Sequence, residues 1–512
     1  MRIRRISALL LSLMLLPGCS GSVPIKDTPS VTLPPALSAY EAPLGDGGED
    51  IPQRVALCLP DAVSGQLTMI SERLALPPAR HPAETVLARL FSYQAGEQAG
   101  PLSDSGSLAL MPGRGVEISG GTAVVNLAAG ALGLPSRELF QAGMAITNTL
   151  VQWGDIRYVN ILVNDQHPGI DPAATVPVGS LTADTAPGAI AALWEARGSQ
   201  HSGNVQGGFS LAATLYFPAP AGRGILAEGR MVSFPGPGLA PMAASLLDAL
   251  SAGAATLPGV PRIPDLNALL AGSPMVEELP GAQGRIIQLS FKESANEQLI
   301  AAGIPRSIMM ASLCLTLTTF LPGVAGVKVR IGTEPISAVV PAGVLEGAGQ
   351  EIVFAGQVMR RSDFRHFLLD YCTLYFAGAG GTLSSSRRAV PYYQAASPRF
   401  ILGQLLAGPE YTDTSPGLFP ILPQGIRDAD WLGIARKNDT LLVNLSSAAG
   451  QMIKPLNEVQ ERLMVYGMVN TLTRLGGIKK VQFYIDGKQE GAFAGHIDVA
   501  GSFLPNAGLV AP

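Results

Sequence analysis

The sequence predicts an α+β fold of three repeated small modules, each an antiparallel-rich sheet packed by two helices. Three observations carry this reading. Strand-like segments with a matched leucine recur at Leu57, Leu215 and Leu374, 158 and 159 residues apart. Later in each block comes a strand with β-branched or aromatic residues two apart, the alternation that buries one face. These strands are Val159–Val163, Val327–Ile331 and Val481–Ile485. Asn148, Thr316 and Asn470 each stand 11 residues before the first valine of that strand. A fixed helix-to-strand offset with variable loops elsewhere is the signature of a duplicated unit.

The elements follow in order. Arg2, Arg4 and Arg5 precede the apolar stretch from Ile6 to Leu16, too short to span a bilayer comfortably. Leu16-Pro17-Gly18-Cys19, followed by Ser20-Gly21-Ser22, resembles a bacterial lipobox. It implies a signal peptide over 1–18, diacylation of Cys19 and an extracytoplasmic, lipid-anchored chain. Two acyl chains suffice for stable anchoring. Residues 19–50 read as a linker.

The first module spans 51–172. It opens on the strand Val55–Leu59, then a helix after Pro82 with Val86, Leu87 and Leu90 on one face, then the strand Val124-Val125-Asn126-Leu127. A linker is expected over 173–208. The second module, 209–334, is degenerate: Ala213–Phe217, a helix through Leu246, Leu247 and Leu250, the strand Ile286-Ile287-Gln288-Leu289, and a strongly apolar helix from Ile308 to Leu321. That helix is too short and too rich in Ser and Thr for a membrane span and reads as buried. Residues 335–370 are expected to form a linker with a short helix. The third module, 371–510, runs through Cys372–Phe376, a helix with Ile401, Leu402, Leu405 and Leu406, and the strand Leu442-Val443-Asn444-Leu445. Its second helix carries Val459, Leu463, Tyr466, Val469, Leu472 and Leu475 and stops at Gly476-Gly477, which permit a left-handed terminating residue.

The third block resembles the GerMN domain of sporulation and spore-germination lipoproteins. The similarity lies in Thr373-Leu374-Tyr375-Phe376, Leu405-Leu406-Ala407-Gly408-Pro409, Val443-Asn444-Leu445-Ser446, Val469-Asn470-Thr471-Leu472, Val481–Gly487 and Gly495-His496-Ile497-Asp498. The first block keeps Val125-Asn126-Leu127, Asn148-Thr149-Leu150 and Gly169-Ile170-Asp171, while the middle one departs at most polar positions. The resemblance implies compact modules like ring-building motifs, and partners among envelope or sporulation proteins, self-association included.

Composition and chemistry narrow the alternatives. With 47% hydrophobic and 14% charged residues, the chain has enough apolar surface to collapse. Its 59 Gly and 41 Pro predict many turns. A net charge of −4 leaves no basic footprint for nucleic acid. No phosphate-binding glycine loop, His-Glu-x-x-His or Gly-x-Ser-x-Gly occurs, so neither catalytic residues nor a cofactor are assigned, and no enzyme is expected. His81, His167, His201, His366 and His496 are scattered singly. His496 with Asp498 reads as a turn-stabilising pair, with a metal pair as the other reading; no metal site is assigned. Asn126, Asn444, Asn148 and Asn470 read as satisfying backbone groups at element ends. Cys58, Cys314 and Cys372 lack motif spacing and read as buried small hydrophobes. Arg360-Arg361, Arg387-Arg388 and Lys479-Lys480 read as solvated surface, and Tyr392-Tyr393 with Tyr411 as a surface aromatic cluster. The leading expectation is a non-catalytic assembly scaffold. A cell-wall glycan-binding or transporter-associated substrate-binding lipoprotein is the alternative.

Overall fold

The computed structural model describes residues 42–511 apart from 49, 79, 104–105, 172–174, 184–189, 200–207, 281–283, 342–348, 412, 414–416 and 490. Cys19 and the lipobox lie outside the described residues, as does His201. The fold is α+β, and one succession of elements occurs three times.

Each occurrence starts with an antiparallel hairpin: Ile51–Pro60 with Leu67–Leu76, Phe209–Pro218 with Ile225–Phe234, and Leu369–Ala377 with Leu383–Pro391. A helix follows: Ala83–Phe91, Leu239–Ser251 and Pro398–Ala407. The last begins as its sequence requires, with Ser397 capping the Phe400 N–H and Pro398 in the first turn, where no N–H is needed. Two antiparallel strands come next: Val116–Ser119 with Thr122–Leu127, Met275–Glu278 with Arg285–Phe291, and Trp431–Lys437 with Thr440–Leu445. The long helices Ser136–Leu150, Arg306–Phe320 and Glu458–Leu472 then cross to Tyr158–Val163, Val324–Ile331 and Lys480–Ile485. Each of these strands lies parallel to the one before the helix, as a helical crossover demands. Finally Val159, Val327 and Val481 each pair on their other side, antiparallel, with Leu181, Met359 and Phe503.

A buried threonine ties each long helix to its hairpin. The N–H of Cys58 donates to Thr149 Oγ1 at 2.9 Å, that of Tyr216 to Thr316 Oγ1 at 3.1 Å, and that of Tyr375 to Thr471 Oγ1 at 3.0 Å. These equivalences correct two sequence alignments. Thr316 matches Thr149 and Thr471, not Asn148 and Asn470. The middle helix runs to Phe320, four residues past its threonine, whereas the others end one residue past theirs. The strand before the helix also shifts. The turn N–H groups of Asn164, Gly332 and Asp486 donate to the carbonyls of Leu127, Phe291 and Leu445. Ser290-Phe291, not Gln288-Leu289, is therefore the counterpart of Asn126-Leu127 and Asn444-Leu445. A slip of two leaves every side chain on its own face, so alternation could not detect it.

Each repeat has its own apolar core. Leu57, Leu90, Val125, Ile146 and Val159 meet in the first. Leu215, Leu250, Leu313, Leu317 and Val327 meet in the middle, and Leu374, Leu402, Val443, Met468 and Phe483 in the third. The expected linkers are largely built into these units. Leu181 and Ile190 pack with Phe140 and Met144, and Trp194 meets Phe140 edge-on at 5.6 Å. Ile336, Phe354, Met359, Phe364 and Phe367 belong to the middle core. The Arg361–Phe367 segment packs on the Arg306–Phe320 helix, every residue of which after Arg306 is buried. Among the described residues no single helix is long and apolar enough to cross a membrane. Part of the first expected linker is also ordered: Gly47 and Gly48 add a parallel edge strand to the third sheet, beside Ala435 and Arg436.

Candidate functional site

One set of buried polar side chains lies where the repeats meet. The two-residue turn after Val116–Ser119 touches all three. Ser119 Oγ donates to the Leu369 carbonyl and accepts from the Ala227 N–H at 3.0 Å. The Gly120 N–H donates to the Asp370 carboxylate at 3.0 Å. A Cβ on Gly120 would lie 1.9 Å from the Ala227 oxygen, and its φ is +55°, so this approach requires glycine. Burial pushes the Asp370 carboxyl up to about 6, against the opposing N–H bonds from Gly120 and Tyr371.

A charged node lies beside this turn. Arg361, at the start of the Arg361–Phe367 3₁₀ segment, is 3% exposed and Glu117 is 7% exposed. The guanidinium donates to Glu117, to Thr319 Oγ1 at 2.7 Å and to the Tyr216 hydroxyl at 3.3 Å. Burial disfavours its charge, yet Glu117 and Tyr216 hold its pKa above the usual arginine value. A neutral node follows: Asn160 Nδ2 donates to Thr214 Oγ1 and Ser180 Oγ to Asn160 Oδ1, both at 2.8 Å. These groups fix one repeat against another.

The sequence-assigned polar residues have structural partners. Asn126 Oδ1 accepts from the Asp165 N–H and Asn444 Oδ1 from the Gly487 N–H, both at 3.0 Å, holding equivalent turns. Asn148 donates to the Met144 carbonyl, and Asn470 brackets the backbone of Asn506. His496 is exposed, and its backbone N–H reaches the fully buried Glu461 carboxylate at 2.9 Å; Asp498 Oδ1 accepts from the Ala500 N–H. His496 lies in a bend, while Asp498 forms an isolated antiparallel bridge with Ala492. Glu461 also accepts from Ala494 and so pins the closing segment. Sequence reading missed it, because Glu461 sits in the first helical turn, where acids are ordinarily exposed.

Among the described residues the remaining histidines do not converge. His81 pairs with Asp155 at 3.2 Å. His366 meets Tyr393 edge-on. His167 is buried, which drives its pKa down to about 4, and Nδ1 accepts from the Gly169 N–H. It lines a cavity of about 20 Å³ with Phe140, Ile161 and Leu181, room for a water and not for a metabolite. Among the described residues no group of three His, Cys, Asp or Glu could hold a metal. Cys58, Cys314 and Cys372 are free and buried, with burial pushing Cys58 and Cys372 up to about 12. Two of the arginine pairs are not solvated surface. Arg361 and Arg388 are buried, the latter paired with Asp413 at 2.7 Å; on the strand Leu383–Pro391 successive residues face opposite ways, so Arg388 turns inward while Arg387 is exposed.

Comparison with known proteins gives one family. Residues 373–491 match Germane, described as sporulation and spore germination. The tandem GerMN domains of the sporulation protein GerM from Bacillus subtilis are 16% identical, covering 60% of this chain and 99% of theirs, with a TM-score of 0.21. The first GerMN domain of the same protein is 18% identical over 27% of this chain and 96% of its own, with a TM-score of 0.18. No curated protein matches the chain.

Proposed function

Given that this chain carries a GerM-type domain over residues 373–491, we propose that it is a lipid-anchored, extracytoplasmic scaffold of sporulation or germination, built from three GerMN-like modules and acting without catalysis. The observation that carries the reading is the recurrence of one set of elements, each repeat with its own core and its own helix-to-hairpin threonine bond, around the matched segment. Buried polar groups join the repeats to one another. Surfaces, not a reaction centre, are what such a molecule offers a partner.

The anchor is tested by Cys19→Ala. The variant is expected to leave the membrane fraction, with loss of the lipid mass from the mature N-terminus; unchanged fractionation without any lipid mass contradicts the anchor. The scaffold is tested by two further variants in a spore-forming host. Replacing His496 and Asp498 by Ala is expected to leave spore formation and germination intact. Phe483→Ala removes a ring buried among Phe493 and Phe503, at a cost of roughly 3–5 kcal/mol, and is expected to abolish function through unfolding of the third repeat. A folded but inactive His496/Asp498 variant rejects the non-catalytic reading.

A further inference from the structure

The edge strands of the three sheets, equivalent by position, are treated differently. Val116–Ser119 abuts the neighbouring hairpins through Ser119. Met275–Glu278 is the outer strand of the middle sheet, with Met275 and Val276 exposed. Trp431–Lys437 is covered by the chain's own residues 43–48, almost four hundred positions earlier.

That segment is held at its backbone and at one side chain. Gly45 N–H donates to the Leu432 carbonyl at 2.9 Å, and Asn444 Nδ2 donates to the Pro43 carbonyl at 3.0 Å. Gly47 and Gly48 pair with Ala435 and Arg436. Asp46 does the rest. Its carboxylate accepts from the Ile434 N–H at 3.1 Å and from Arg399 Nε and Nη2, the latter at 2.9 Å. Arg399 is itself braced on the Trp431 carbonyl at 2.8 Å. The acceptor strand is shaped for this approach: a Cβ on Gly433 would lie 2.3 Å from the Pro43 oxygen and 2.5 Å from the Gly45 nitrogen. No large apolar side chain secures the segment, since Leu44 is 86% exposed. It rests on a few backbone bonds and one ion pair, the type of contact that opens locally without global unfolding.

We propose that Trp431–Lys437 is a strand-addition site for an extended, glycine-flanked acidic segment, and that residues 43–48 close it in cis as a latch. Arg399 reads the acid, Gly433 admits the backbone, and Asn444 holds the entering carbonyl. The site follows the physics of β-augmentation, in which main-chain bonds give affinity and a side-chain contact gives selectivity. It stands independently of the lipid anchor and of sporulation.

The test uses the full-length chain. Asp46→Lys places a cation against Arg399 and is expected to speed amide exchange at Ile434 by ~10-fold or more, with the global unfolding transition unchanged. Asp46→Asn is the milder second variant and moves the same amide in the same direction. A fluorescent peptide of residues 42–50 should bind the Asp46→Lys chain at least ~10-fold more tightly than the wild type, whose site is filled, and adding Gly433→Val should abolish capture. Unchanged exchange at Ile434 in both Asp46 variants overturns the latch. Equal peptide binding by wild type and Asp46→Lys, or capture that survives Gly433→Val, overturns the acceptor site.

Discussion

Removing the carboxylate of Glu117 should destabilise the protein more than most single changes on its surface. Glu117 belongs to the first repeat, Tyr216 and Thr319 to the middle one, and Arg361 to the segment leading into the third. Both charges are nearly inaccessible to water. In Glu117→Ala the Arg361 guanidinium keeps its bonds to Thr319 and Tyr216 but loses its counter-charge in a site it cannot leave. An orphaned buried charge of this kind costs about 3–5 kcal/mol. That is roughly a hundredfold to several-thousandfold in the folding equilibrium. The double variant Glu117→Leu with Arg361→Met removes both desolvation penalties together with the attraction and should fall within about 1–2 kcal/mol of the wild type. Urea unfolding followed by tryptophan fluorescence and far-UV circular dichroism measures both variants. Trp153 and Trp431 report on the outer repeats, so coincidence of the two probes also shows whether the node makes the repeats unfold together. A Glu117→Ala variant within 1 kcal/mol of wild type, or a double variant as unstable as the single, refutes the reasoning.

Two further outcomes follow from named groups. Thr149→Val, Thr316→Val and Thr471→Val each strip the acceptor from one buried N–H, and each should cost about 1–3 kcal/mol by urea titration; one neutral site among the three removes that repeat from the pattern. Asp370 has its folded pKa raised to about 6, above an unfolded value of about 3.9, so its protonated form favours folding. That contribution is full below pH ~4 and is lost as pH rises through about 6, a swing on the order of 3 kcal/mol. Asp370→Asn, which keeps an acceptor for Gly120, should therefore gain stability relative to wild type between pH 4 and 7; a flat or inverted difference in unfolding free energy counts against the assignment.

The α+β class, the strands at Leu57, Leu215 and Leu374 and the apolar helices were legible in the sequence, because burial writes a period into it: two for strands, 3.6 for helices. The same periodicity marked Val159, Val327 and Val481, which the structure places at equivalent pairings. Periodicity is blind to a slip of two, so it points to Gln288-Leu289 where the counterpart is Ser290-Phe291, and it does not reveal how far a helix runs, so it aligns Thr316 with Asn148 and Asn470. What remained hidden was everything that depends on residues distant in the chain. Glu117 and Arg361 lie 244 positions apart and Asp46 and Arg399 lie 353 apart, so no local pattern links them. The expected linkers have a turn-rich composition that looks like spacer, yet Leu181, Met359 and Phe364 are needed to close sheets and cover a helix buried on every side. Local sequence determined the elements and their inward faces. Only tertiary packing decided which charges would be buried together, which sheet edge would be covered, and by which stretch of chain, because the energy of a desolvated charge or an unpaired edge exists only once the partner has arrived.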